Sequence, residues 1–286
     1  MKTICIKTNN IQAQSYLLEN LKKLNLEDVY FSCHKFKVYT NIIIHYKGTD
    51  SDLFYYKISH LLSYLILDIY EKNIFKNILN REYFYFDKIE QNQILNISSE
   101  ITRENMQTIL TNVNILQNIF NEFLQNNKKL YLKGFITFRL KKYIEELEKL
   151  IDSSVSRYII EREYTEFVSL LKAYINSETS KIDVVHLIYQ NEEPILLDQN
   201  KNIIKSDINL LNAKYLSDIS FSSSDMVLNT LLNLIPKKIY VHLINNDTDD
   251  FIATLKLIFE KRIHICTDCN ICNIYRSKIQ SKLKKW

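Results

Sequence analysis

The sequence predicts an α+β protein: a small ferredoxin-like N-terminal α/β module, a central long-helix bundle, and a C-terminal α/β module with a β-α-β unit. Three observations carry that reading. Residues 2–70 run through strand-like and helix-like patterns in the order β-α-β-β-α, residues 128–175 show sustained helical periodicity, and residues 238–266 read strand, helix, strand. The expected divisions are 1–80 for the N-terminal module, 81–178 for the helical region, 179–275 for the C-terminal module, and 276–286 for a basic tail.

In the first module, Ile4 and Ile6 alternate with polar neighbours, the period of a half-buried strand. Tyr16, Leu17, Leu21 and Leu24 follow at helical spacing. Residues 29–38 and 40–46 are β-rich runs with little between them except a tight turn, which predicts a hairpin. From Asp52 the positions Leu53, Phe54, Ile58, Leu61, Leu62, Leu65 and Ile66 make a helix apolar enough to be covered on more than one face. The ferredoxin-like order is common and implies no activity.

Residues 80–126 read as helical connection, carried by Phe86 and Ile89 and then by Val113, Leu116, Phe120 and Leu124. Beyond them Leu140, Ile144, Leu147, Ile151, Val155 and Tyr158 recur at steps of three and four, one stripe of a helix that must be buried. Ser153, Ser154 and Ser156 interrupt the pattern before Tyr164, Phe167, Val168 and Leu171 resume it, predicting a second helix or a bent continuation. Gly134 precedes this spine, between the β-like Leu130 to Leu132 and the helix opening at Phe135. It is expected to take a backbone geometry, or allow an approach, that a Cβ would hinder.

The motif Gly134-Phe135-Ile136-Thr137-Phe138-Arg139-Leu140, the run Glu161-Arg162-Glu163-Tyr164-Thr165-Glu166-Phe167 and the segment Lys181-Ile182-Asp183-Val184-Val185-His186 resemble the YtxC-like family of sporulation proteins from endospore-forming bacteria. The similarity runs over most of the chain and ends with Cys266, Cys269 and Cys272. The resemblance implies a sporulation-associated cytoplasmic protein of unknown biochemical activity that acts through other proteins. No catalytic residue comes with it.

Composition excludes several classes. With 46% hydrophobic residues the chain can support a packed interior, which sets it apart from disordered sequences. Two glycines, Gly48 and Gly134, cannot furnish a Walker loop, a dinucleotide fingerprint or a nucleophile elbow, each of which needs several. Helices should therefore end without glycine, on Asn in the left-handed conformation. A net charge of +4, from 37 basic and 33 acidic residues, is no concentrated basic face, so nucleic-acid binding rests on the tail and mild basicity alone. Residues 61–70, interrupted by Asp68, fall short of the roughly 20 apolar residues that span a bilayer. With no transmembrane segment or signal-like start, and five cysteines in odd number, the expected setting is the reducing cytoplasm.

In the last module, residues 184–189, 195–197 and 203–204 read as short strands with turns at Pro194 and at 199–202. Ser222 to Asp225 offer caps for a helix through Val227, Leu228, Leu231 and Leu232, stopped at Pro236. A strand over 238–244, a helix over 250–261 capped by Thr248 and Asp249, and a strand over 263–266 predict parallel pairing through a right-handed crossover.

That last strand delivers the cysteines. Cys266, Cys269 and Cys272 stand at C-x2-C-x2-C spacing, which suits thiolate binding of zinc or an iron-sulfur cluster. His264 is the nearest fourth ligand, because alternation turns it to the same side as Cys266. Cys33, His34 or a second subunit are the alternatives for that position, and plain reduced thiols or a metal-free redox pair are the alternatives to metal. Asp247, Asp249 and Asp250 read as helix caps more than as a Mg²⁺ site. His45, His186 and His242 read as half-buried strand residues. Arg139 reads as tying a helix start to an acidic neighbour rather than as an anion ligand. Residues 276–286 read as a solvated end.

Overall fold

The computed structural model describes residues 1–24, 26–104, 106–190, 193–204, 222–244 and 249–283. Helices and two mixed four-stranded sheets make the chain α+β. It divides into two compact units, Met1–Glu161 and Arg162–Trp286.

The first unit opens with the expected order: β1 (Lys2–Thr8), α1 (Ile11–Lys22), β2 (Val29–Lys35), β3 (Thr40–Tyr46) and α2 (Ser51–Leu65). Asn10 caps α1 by accepting from the Ala13 N–H at 3.0 Å, and Asp50 caps α2 by accepting from Leu53 at 2.9 Å. After a π-helical segment at Ile66–Tyr70 come α3 (Glu71–Glu82), α4 (Lys88–Glu104), α5 (Met106–Asn126), β4 (Lys129–Tyr131), α6 (Leu132–Arg139) and α7 (Lys141–Ser177). β4 pairs parallel to β1, completing a sheet of order β2-β3-β1-β4 whose other pairs are antiparallel. Ile4, Ile6, Ile42 and Ile44 turn one sheet face into a core shared with Phe54, Ile58, Leu62, Phe120 and Tyr143. Buried Ser59 and Ser63 fit there because each hydroxyl donates to a carbonyl of its own helix. Tyr143, fully buried, donates its hydroxyl to the Glu71 carboxylate. Burial raises the Glu71 pKa, and that hydrogen bond only partly offsets it.

Three expectations change. The serines do not break the spine: α7 is one helix of 37 residues, because Ser153, Ser154 and Ser156 donate to the carbonyls four residues back at 3.0, 2.7 and 2.9 Å. Gly134 has no positive φ and sits in the first turn of α6, where a Cβ would meet the Tyr131 ring at an ordinary 3.4 Å. Gly48 is the constrained glycine, since a Cβ there would run into the Tyr46 ring, itself buried and stacked on Phe54 at 4.9 Å. Left-handed residues are also not Asn: among the described residues Asp28, Lys201, Ile235 and Glu260 have positive φ.

In the second unit, β5 (Val184–Gln190) and β6 (Glu193–Asp198) form a hairpin. α8 (Ser223–Leu234) is capped within the expected Ser222 to Asp225, the two end residues forming a capping box, and ends on left-handed Ile235, just before Pro236. β7 (Lys238–Leu243), α9 (Asp250–Phe259), β8 (Ile263–Cys266) and α10 (Asn270–Leu283) follow. The sheet order is β6-β5-β7-β8, with β5, β7 and β8 mutually parallel, as strand-helix-strand order requires. Side-chain alternation gives the sheet two unlike faces. Val185, Leu187, Tyr189, Ile239, Val241 and Leu243 join Val168, Ile175 and residues of α8 and α9 in a broad apolar core. The opposite face has a much smaller cluster of Ile188, Leu197, Ile244, Ile271 and Cys272 beneath α10. The segment from Arg276 thus begins as helix rather than as a free tail.

Gly134→Ala should stabilise the protein by up to about 1 kcal/mol, because it removes the entropic cost of a helical glycine. Gly48→Ala should destabilise it by roughly 1 to 3 kcal/mol, because the buried Tyr46 ring must shift. Urea unfolding of the two variants checks both signs. Glu71→Gln should raise stability at neutral pH, because burial penalises the charged form of the wild-type carboxyl group. The gain should shrink as pH falls through the raised folded-state pKa and vanish below the ordinary glutamate range, where the wild type is protonated in both states. Thermal unfolding from pH 4 to 8 reads the slope.

Candidate metal centre

The site is set by which residues lie side by side across β7 and β8. Their parallel register aligns Tyr240 with His264 and His242 with Cys266. Neighbouring strands are about 4.8 Å apart, whereas two residues along one strand span about 6.6 Å. Lateral neighbours therefore meet before same-strand neighbours do, and Cys266 meets His242 rather than His264. After β8 the chain turns through Thr267 and Asp268, so Cys269 lands just before α10 and Cys272 in its first turn. Arg276 fastens this turn: its Nε donates to the Ile244 carbonyl at 3.1 Å, and a terminal guanidinium nitrogen donates to the Thr267 carbonyl.

One donor atom from each of His242, Cys266, Cys269 and Cys272 lies within 4.8 Å of all the others. Cys269 Sγ is 3.7 Å from Cys272 Sγ, and Cys266 Sγ is 3.9 Å from Cys272 Sγ. His242 Nδ1 is 3.4 Å from Cys269 Sγ and 3.5 Å from Cys272 Sγ. Zinc bonds of about 2.3 Å to sulfur and 2.0–2.1 Å to nitrogen, at tetrahedral angles, require S···S edges of about 3.8 Å and S···N edges of about 3.6 Å. Four of the six edges match a mononuclear tetrahedral site closely. An iron-sulfur cluster puts bridged irons and sulfides between its thiolates and needs a wider cage.

The electrostatics favour a neutral imidazole ligand. His242 is 3% exposed, and burial, with His186 adding to it, pushes its pKa down to about 4. His242 Nε2 lies 3.0 Å from His186 Nδ1. With Nδ1 turned to the sulfurs, the ring hydrogen is assigned to Nε2, which donates to His186. Such an outer hydrogen bond fixes ring orientation and tautomer at metal sites. Burial and then Lys201 lower the His186 pKa, so that ring is neutral too.

The three thiols differ. Burial pushes the Cys272 thiol up to about 12, with the neighbouring thiols adding to it. Burial and then Cys269 raise Cys266. Burial also works against the Cys269 thiolate, but backbone N–H groups of Cys272 and Ile271 and the two other thiols outweigh it and hold the pKa below its ordinary value. A divalent cation at the centre of the group would reverse the burial penalty for all three.

The remaining predicted residues fall elsewhere. His264 is exposed and packs against Tyr240, ring centroids 5.3 Å apart, outside the four-donor group. Cys33 and His34 belong to β2 of the first unit. Asp249 is an N-cap, accepting from the Ile252 N–H at 3.1 Å and from the Tyr189 hydroxyl; Asp247 lies outside the described residues. His45 is hydrogen-bonded to Thr3 at 3.0 Å. Arg139 makes no ion pair among the described residues and lines, with Phe123, Phe135, Phe138 and Lys142, an open cavity of about 490 Å³. His242 was the residue hidden from sequence reasoning. Laying the expected strand over 238–244 beside that over 263–266 in parallel register is the signal that would have found it.

The fold and this site define an α+β protein with a four-donor Cys3His group on one face of its second sheet. The chain belongs to the YtxC-like family, whose model matches residues 56–264. It is similar to the uncharacterized protein YtxC of Bacillus subtilis (strain 168), with 20% identity over 223 residues covering 74% of this chain and 78% of that protein. No solved structure matches it. The family match takes in His186 and His242 and stops two residues before Cys266. Among the described residues no helix is long and apolar enough to cross a membrane.

Proposed function

We propose that this protein is a zinc-binding, non-enzymatic protein of the sporulation programme, working in the cytoplasm through protein partners. In this reading His242, Cys266, Cys269 and Cys272 hold one ion that pins α10 to the sheet. The observation that carries the zinc assignment is the set of edges from 3.4 to 3.9 Å around a single central point. Four protein donors fill a tetrahedron and leave no open position for water or substrate, the pattern of structural rather than catalytic zinc. The need for such a staple follows from the small cluster beneath α10, where Ile271 and Cys272 are the buried residues the helix brings among those described. The sporulation setting rests on family membership, and the cytoplasmic setting on cysteines that stand unpaired.

Elemental analysis of protein purified without oxygen should find one zinc per chain and no iron, and its spectrum should lack visible iron-sulfur bands. Iron with acid-labile sulfide, or no metal, would overturn the assignment. Cys272→Ala and His242→Ala should each weaken zinc binding at least a hundredfold in chelator competition, while His264→Ala should leave it unchanged. His186→Ala, which removes the partner of His242 Nε2, should weaken it by about 10- to 100-fold. Deleting the gene in a spore former should alter spore yield, timing or germination; a wild-type profile in all three would sink the sporulation reading.

A further inference from the structure

The zinc reading leaves the unequal burial of the three sulfurs unexplained. Cys269 and Cys272 form a C-x-x-C pair across the first turn of α10, and their sulfurs are 3.7 Å apart, the shorter of the two resolved S···S distances. Cys272 is fully buried beneath the helix, whereas Cys269 is partly open to solvent. One accessible sulfur and one buried sulfur within a single helical turn is the arrangement in which a mixed disulfide forms at the first and is resolved by the second. Cys266 is less suited to resolve, because it sits at the end of β8, outside the helical turn that carries the other two.

We propose that Cys269 and Cys272 are a redox pair that ejects the metal: a low-molecular-weight disulfide oxidises them to an intramolecular disulfide, and the ion leaves. The inference rests on the zinc reading. The Cys269 thiolate attacks one sulfur of the small disulfide, forming a mixed disulfide and expelling one small thiolate. The Cys272 thiolate then attacks the Cys269 sulfur, closing the protein disulfide and expelling the second small thiolate. Two electrons pass from the two cysteines to the small disulfide, which ends as two thiols once protonated. His242 and Cys266 remain, and two ligands do not retain a structural zinc ion. Dithiol reductants reverse the exchange and restore the site.

The experiment uses the full chain carrying Cys5→Ser and Cys33→Ser, so that the remaining thiols are those of the site. Zinc content is measured first, before any oxidant. Absence of zinc at that step overturns the metal reading and this inference with it. With zinc present, glutathione disulfide is added while a colorimetric chelator reports released zinc and a thiol reagent counts cysteines. The expected result is one zinc released for two thiols lost, with tandem mass spectrometry of the peptide 263–276 placing the bond between Cys269 and Cys272, and with zinc rebinding after reduction. In the same background Cys269→Ser should lose at least tenfold in the rate of disulfide formation. Cys266→Ser should still form the bond. Zinc retained with its thiols intact under excess oxidant, or a bond that includes Cys266, would overturn the redox proposal while leaving the zinc reading standing.

Discussion

The second unit depends on the register of two parallel strands. Because His242 lies opposite Cys266, a sheet face that would otherwise carry ordinary side chains brings an imidazole and a thiol together at strand spacing. The next row, His186, Tyr240 and His264, runs across β5, β7 and β8 as a line of rings, with centroids 5.4 and 5.3 Å apart. A slip of one residue would turn all of these side chains into the apolar core on the other face. The register is held from that other face, where Val185, Leu187, Ile239 and Val241 are fully buried. Hydrophobic burial on one side therefore positions the polar group on the other.

The two faces also explain why donors cluster where they do. The broad core is closed by α8, α9 and the end of α7, and needs nothing more. α10 comes last and, among the described residues, brings little apolar surface: Ile271 and Cys272 are buried, while Asn273, Ile274 and Ser277 face solvent. Two buried side chains contribute only a few kcal/mol, less than the entropy lost in ordering a helix of this length. The Arg276 bonds to two carbonyls add to the anchoring. A structural zinc site contributes on the order of 10 kcal/mol, enough to change that balance.

Periodicity made most of the fold legible. Strand 263–266 and the capping box at Ser222 were readable because alternation and capping chemistry are local. What local patterns did not show was how neighbours resolve a conflict. Three serines look like a break until their hydroxyls are seen to donate within the helix, and Gly134 looks special only because glycine is rare in this chain. Ile235 shows the same limit from the other side. A β-branched residue at φ 44° is strained, and it is held there by complete burial against the second core, a tertiary effect with no sequence signature.

The site divides along the same line. Three thiols at C-x2-C-x2-C spacing come from seven consecutive residues and announce themselves, whereas the nearby imidazole comes from a strand 24 residues away, and only register selects it. Proximity in sequence favoured His264, yet an extended chain carries a residue two positions away farther than the width of a sheet ladder. The region matched by the family model takes in the strands that carry His186 and His242 and ends before Cys266. In this chain, then, the four-donor group is an addition to a fold that burial on the opposite face already secures.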